Sequence, residues 1–142
     1  MTIETLDWVE ILNIIKNLGE QIKRSPIHTS LILAHGWIPA LIIADILHCK
    51  NLEAISLDST KTTVQTFADT TNQNILIVFD RINEYALAQI LKKIRQKPFK
   101  SIRIATLLHN PLTSSKVAYI GFESTNNVIL PWEEYTKLGG KL

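Results

Sequence analysis

Two hydrophobic periods alternate along the chain. Asp7 and Glu10 have the spacing of a capping box. Trp8, Ile11, Leu12, Ile15, Leu18 and Ile22 then recur at helical intervals, which predicts a helix over about Trp8–Lys23, weakened at Gly19. Leu31–Ala34 is a short unbroken apolar run, the pattern of a strand covered on both faces. His35–Ile38 reads as a turn. Pro39 suits a first helical position, and Pro39–His48 is apolar nearly all round, so that helix is expected to be buried. Leu52–Leu57 reads as a strand, and the β-branched, polar stretch Thr62–Ala68 as an exposed strand or flap. Ile75–Phe79 is the clearest buried strand; it ends at Asp80, and a polar turn leads into an amphipathic helix. That helix turns Leu87, Ile90, Leu91 and Ile94 inward and Gln89, Lys92, Lys93 and Lys97 outward. Ser101–Leu108, Val117–Phe122 and Asn127–Leu130 complete the strands.

Strands alternating with helices predict an α/β architecture: a mainly parallel central sheet, flanked by helices, with right-handed crossovers. Ligands of such sheets bind beyond the carboxyl ends of the strands. That singles out the turns His35–Ile38 and Asp80–Ala86.

Composition bounds the rest. At 142 residues and 46% apolar, the chain is expected to form a single domain, 1–142, with room for one core and one site. A net charge of +2 argues against a dedicated nucleic-acid binder. The basic stretch Lys92–Arg103 is expected to be a solvated helix end, its cations favoured by the C-terminal dipole. The beginning of the chain carries Glu4, Asp7 and Glu10 where a secretory leader would be apolar. Leu31–Leu47 is broken by His35, Gly36, Pro39 and Asp45, so no membrane partner is expected. The single cysteine, Cys49, excludes an internal disulfide framework and points to a cytoplasmic protein. His48 and Cys49 lack further ligands at metal-binding spacing, so no metal site is expected from them. Asp58–Asn74, dense in Thr and polar residues, is expected to be a surface loop or hairpin.

The two turns also carry a resemblance. Leu33-Ala34-His35-Gly36-Trp37-Ile38-Pro39-Ala40, continuing through Ile43-Ala44-Asp45-Ile46-Leu47, resembles the pyrophosphate-loop segment of type I phosphoribosyltransferases, roughly I-S-R-G-G-L-V-P-A-x-x-L-A-D-x-L. Ile75-Leu76-Ile77-Val78-Phe79-Asp80-Arg81-Ile82-Asn83-Glu84-Tyr85-Ala86-Leu87-Ala88 resembles the family's ribose-phosphate signature, roughly V-L-I-V-D-D-V-A-D-T-G-x-T. Val128-Ile129-Leu130-Pro131-Trp132-Glu133 is similar to the W-V-x-F-P-W-E ending of the xanthine and hypoxanthine-guanine branch, and Leu6-Asp7-Trp8-Val9-Glu10 to its T-W-E-E-I start. The matches run nearly end to end in the family's order.

The resemblance implies a three-layer phosphoribosyltransferase-like fold. It also implies transfer of a phosphoribosyl group from phosphoribosyl pyrophosphate to a purine base, assisted by magnesium held mostly on substrate oxygens. Carried over residue by residue, it implies catalytic roles for Asp80 and Glu84 at the ribose. Asn83, Tyr85, Ala86, Leu87 and Ala88 would cradle the 5′-phosphate at a helix N-terminus. Ala34, His35, Gly36 and Trp37 would form the pyrophosphate loop, and Leu130 and Trp132 would lie near the base. A homodimer is implied as well.

The departures are specific. Arg81 replaces the second acid of the family's pair, Tyr85 and Ala88 replace its threonines, Ala86 replaces its glycine, and Asn127 stands where it has a base-stacking Trp. They leave an alternative open: a non-catalytic nucleotide-binding or protein-interaction member of the same fold. Each residue also has a plain structural reading. Asp80 would cap a turn, Glu84 would favour a helix dipole, Arg81 would pair with Asp80 or Glu84, and His35 would be a solvent-facing turn residue.

Overall fold

The structure, a computed structural model, describes residues 2–55, 57–58, 63–64, 69–113 and 116–133. The chain opens with a short strand, β1 (Ile3–Thr5), and helix α1 (Trp8–Lys23). It continues through β2 (Leu31–Ala34), α2 (Trp37–Leu47), β3 (Leu52–Ala54), β4 (Leu57–Asp58) and β5 (Thr63–Val64). Then come β6 (Asn74–Arg81), α3 (Glu84–Ile94), β7 (Ser101–His109), β8 (Tyr119–Glu123) and β9 (Asn127–Ile129).

Helix α1 starts where its capping box puts it: the Asp7 side chain accepts from the Glu10 amide, and the Glu10 side chain accepts from the Asp7 amide. Its apolar stripe buries Ile11, Ile15, Leu18 and Ile22. Helix α2 begins two residues before Pro39, at Trp37, with Gly36 as its N-cap.

The central sheet has five strands in the order β3-β2-β6-β7-β8, and every pairing in it is parallel. The architecture is the expected one, a central parallel sheet between helices. Strand β6 explains why the Ile75–Phe79 run has no polar alternation. Leu76 and Val78 enter the core under α1 and α2. Ile75, Ile77 and Phe79 enter a second core under α3. A strand covered on both faces must be apolar at every position.

Several features differ from expectation. Helix α2, expected to be buried, buries only one side, with Pro39, Ala40, Ile43 and Ala44, and leaves Leu41 and Asp45 exposed. Strand β1 goes unannounced by hydrophobic pattern; it pairs in parallel with β9, Ile3 opposite Asn127 and Thr5 opposite Ile129, and so ties the two ends of the described chain together. Three residues are too few to carry a period. The expected Leu52–Leu57 strand divides: β3 ends at Ala54, while Leu57–Asp58 pairs antiparallel with Thr63–Val64, as expected of a hairpin in the polar stretch. Residues 65–68 of the expected Thr62–Ala68 strand, and Thr62 itself, lie outside the described residues. The basic stretch is solvated at Lys92, Lys93, Arg95, Lys97 and Lys100, but Arg103 is buried at 8% exposure, because its parity in β7 puts it beneath the end of α1. Among the described residues, no helix is long and apolar enough to cross a membrane.

Candidate functional site

The strand order fixes where a site can form. After β2 the chain turns to α2 on one face of the sheet; after β6 it turns to α3 on the other. Adjacent parallel strands whose connections leave in opposite directions open a crevice at their carboxyl ends. Here the crevice lies between His35–Gly36 and Asp80–Asn83.

The two loops meet closely. The amides of His35 and Gly36 both donate to the Val78 carbonyl, at 2.9 Å each. A methyl group on Gly36 would stand 2.8 Å from the Phe79 carbonyl carbon and closer still to the Asp80 amide nitrogen and Oδ1. Only a residue without Cβ allows that approach. The His35 ring leans on Phe79, centroids 5.0 Å apart, and the partial burial lowers its pKa.

Asp80 is the electrostatic centre. Its Oδ2 accepts from the indole nitrogen of Trp132 at 3.2 Å, while its Oδ1 is buried with no hydrogen-bond partner. Its pKa is pushed up to about 6, mainly by burial, with the Trp132 hydrogen bond opposing; Glu133 raises it further and Arg81 lowers it. Trp132 in turn rests against Trp8, ring centroids 5.8 Å apart.

Arg81 does not contact Asp80 by a hydrogen bond. Its guanidinium donates to the Val128 carbonyl at 3.0 Å and forms an ion pair with Glu133. The same Glu133 oxygen accepts from the Leu130 amide at 3.0 Å. The Leu130–Glu133 turn is therefore fastened to the end of β6 by both Asp80 and Arg81.

A pocket of about 320 Å³ lies just past the carboxyl ends of β6, β7 and β8. Arg81, Leu108, His109, Asn110, Asn127 and Val128 form part of its wall. The volume is at the lower end of small-molecule sites, which suits a ligand of one or two rings. The Nδ1 atom of His109 is buried without a hydrogen-bond partner, and Nε2 lies 3.4 Å from the Thr113 hydroxyl.

The residues expected at a phosphate occupy the first turns of α3. Asn83 is the N-cap: its side chain accepts from the Ala86 amide at 3.0 Å and its carbonyl from the Leu87 amide at 2.9 Å. Ala86 and Leu87 are buried, and Tyr85 stands 49% exposed beside them. Glu84 occupies the first turn. Ala34 closes β2 in the core, Gly36 caps α2, and Trp37 is 47% exposed. Leu130 is fully buried in the core and Trp132 partly so. Asp80, Arg81, His35 and Gly36 thus converge, and Trp132 joins them. Leu130 supports the turn from below; of these residues only Arg81 is on the wall of the pocket described above, and Leu130, Trp132, Asp80, His35 and Gly36 are not.

His109, Asn110 and Thr113 were not legible as site residues. Their one signal is position: His109 ends β7, and Asn110 and Thr113 lie in the turn that follows it. Among the described residues, no group of three or more His, Cys, Asp or Glu side chains could hold a metal ion.

No protein-family description matches the sequence, and no curated protein matches it. Solved structures do match its shape. It is similar to a purine phosphoribosyltransferase from Pyrococcus horikoshii Ot3, with 23% identity and a TM-score of 0.80 over 94% of this chain and 95% of that one. It is similar to a xanthine-guanine-hypoxanthine phosphoribosyltransferase from Helicobacter pylori, with 13% identity and a TM-score of 0.76 over 97% and 99%. A hypothetical protein from Neisseria gonorrhoeae with bound ppGpp matches with 16% identity and a TM-score of 0.73 over 96% and 95%. With a five-stranded parallel sheet between helices and end-to-end agreement with these structures, this chain has the type I phosphoribosyltransferase fold.

Proposed function

We propose that this protein transfers a phosphoribosyl group from phosphoribosyl pyrophosphate to a purine base. The observation that carries the reading is the pocket at the carboxyl ends of β6–β8, adjoining the β2/β6 crevice, in a fold whose solved relatives include purine phosphoribosyltransferases. In this reading the base enters the pocket beside Asn110, Asn127 and Val128. Asp80 accepts from the ribose hydroxyls, with Glu84 nearby, and the 5′-phosphate sits at the start of α3. The pyrophosphate leaves along the loop from Ala34 to Trp37, where the His35 and Gly36 amides are already committed to Val78. A base nitrogen bonds to the ribose C1 carbon as the bond from C1 to the pyrophosphate oxygen breaks; the electron pair of the broken bond leaves on the pyrophosphate, and the base's N–H proton passes to water. Charge spreads over the ribose ring, so positioning and electrostatics supply the acceleration.

A metal fits only as part of the substrate. Asp80 is the single carboxylate of the β6 end that faces the crevice, and the cationic Arg81 follows it. That donor set suits a magnesium ion carried on pyrophosphate oxygens, with Asp80 as one protein ligand, where it would offset phosphate charge. A homodimer also remains part of the proposal. Trp8, Val9 and Leu12 on α1 and Trp37 and Leu41 on the neighbouring α2 leave apolar surface exposed for it, and light scattering tests it.

The deciding experiment is a pyrophosphate-coupled assay with phosphoribosyl pyrophosphate, magnesium and xanthine, hypoxanthine or guanine. Turnover that falls at least about tenfold in Asp80→Ala is expected. Folded protein that turns over none of the bases refutes the transfer reading. Calorimetric titration with phosphoribosyl pyrophosphate and with purine nucleotides then asks whether the alternative, nucleotide binding without catalysis, holds.

A further inference from the structure

At the opposite, amino-terminal end of the sheet, Arg103 is a buried guanidinium with no acidic partner among the described residues. It donates to three neutral hydroxyls: Thr29 Oγ1 at 2.6 Å, Tyr119 OH at 3.1 Å and Ser25 Oγ at 3.5 Å, the last a long bond. It also lies over the Tyr119 ring, 5.9 Å from the centroid. Its Nε atom is buried without any partner. A buried cation is ordinarily matched by an anion, because hydroxyl dipoles alone replace its hydration incompletely.

A hollow of about 200 Å³ opens to solvent beside Arg103's partners: Ser25 and Thr29 are on its wall, Arg103 itself is not. Lys23, Ser25, His28 and Thr29 line it together with apolar side chains, and no acidic residue does. Lys23 and His28 are exposed at its rim. The carboxyl end of α1 contributes roughly half a negative charge here. Arg103, Lys23 and Arg24 together exceed it.

We propose that this hollow is a binding site for a tetrahedral oxyanion of the phosphate class, held by Lys23, His28 and the Ser25 and Thr29 hydroxyls and neutralising Arg103 behind them. Ser25 and Thr29 each present a hydroxyl that can accept from Arg103 and donate its own proton to the anion. The anion's charge thereby reaches the guanidinium through one intervening group. The hollow holds a free phosphate whole; a phosphate monoester would seat its phosphoryl group there and leave its organic part in solvent. The site is remote from the crevice at the carboxyl ends of the strands and independent of the reading given to it.

The test is a ¹H–¹⁵N NMR titration with inorganic phosphate, with sodium chloride of matched ionic strength as control. Saturable shifts are expected at the Lys23–Thr29 amides and at the Arg103 Nε–H resonance. A Lys23→Ala, His28→Ala double variant, altered only at exposed positions, should keep its spectrum and bind about tenfold more weakly. Arg103→Met should abolish the shifts; if that variant does not fold, the double variant alone decides. Ribose 5-phosphate forms a second arm. Shifts of the Lys23–Thr29 set with both probes identify a phosphoryl site, and shifts with inorganic phosphate alone identify a free-anion site. No shift at these amides, equal shifts with chloride, or shifts confined to the Asn83–Ala88 turn would overturn the proposal.

Discussion

Replacing Gly36 by alanine tests the closest contact in the crevice. The backbone of Gly36, at φ −97° and ψ 102°, is one that alanine adopts readily, so no conformational strain is involved. The cost is steric. The new methyl would meet the Phe79 carbonyl carbon at 2.8 Å, with the Asp80 amide nitrogen and Oδ1 nearer still, inside the 3.0 Å that real Cβ atoms essentially never breach. Two of these atoms are backbone of β6, which is hydrogen-bonded on both sides, to β2 and β7, and cannot retreat alone. The Gly36 amide is itself held by Val78. Overpacking of this kind costs about 1–3 kcal/mol, and with so little freedom to relax the upper end is expected. For a chain of this size that is a fall of roughly 10 °C in Tm. Gly19→Ala is the control: its methyl meets Ile46 Cδ1 at 2.6 Å, the mobile end of a side chain, and helix propensity returns about 1 kcal/mol. It should stay within about 1 kcal/mol of the parent. Thermal and urea unfolding followed by circular dichroism measure both. A Gly36→Ala protein as stable as the parent would refute the reasoning. So would full rescue by Asp80→Ala, which removes the carboxylate but leaves the backbone clash.

Other perturbations probe the same crevice. The Asp80 carboxyl titrates near 6 in the fold and near 3.9 unfolded, so the fold binds the extra proton and gains stability as pH falls from 6 to 4. Asp80→Asn should therefore be more stable than the parent above pH 6, by roughly 3 kcal/mol, and should lose that advantage between pH 6 and 4. A constant difference across urea melts from pH 8 to 4 would exclude the buried charge as the cause. Trp132→Phe removes the indole hydrogen bond to Asp80 Oδ2; it should raise the Asp80 pKa further, read by ¹³C NMR of the carboxyl, and cost about 1.5–3 kcal/mol above pH 6. Asn83→Ala should cost about 1 kcal/mol by chemical denaturation and Asn83→Gly only a few tenths, because the Ala86 amide loses its acceptor.

Helix α1 was legible to the residue because two local signals agree, a capping box and a six-residue apolar stripe. Strand β6 was legible because burial on both faces leaves an unbroken apolar run. Strand β1 was not: its three residues gain their pairing only from β9, more than a hundred positions away. The candidate site divides the same way. Asp80 and His35 stood out because they end apolar runs where parallel sheets bind ligands. Asn110 and His109 did not, since the wall they form needs Arg81, Asn127 and Val128 from distant segments. Arg81 was expected to pair with Asp80 or Glu84, its neighbours in sequence; the fold gives it Glu133 instead.

Local chemistry thus determined the elements, their order, and the turns at which a ligand would be met. Periodicity and capping depend on residues within a few positions of one another, and those the sequence states outright. Tertiary structure alone decided which carboxylate is buried, which cation lacks a counter-charge, and which side chains share a pocket. Burial and electrostatics depend on distances across the fold. Asp80 acquires its raised pKa from burial in the fold, reinforced by Glu133 and opposed by the Trp132 hydrogen bond, and Arg103, one of six cations in the Lys92–Arg103 stretch, is the exception because β7 places it beneath α1.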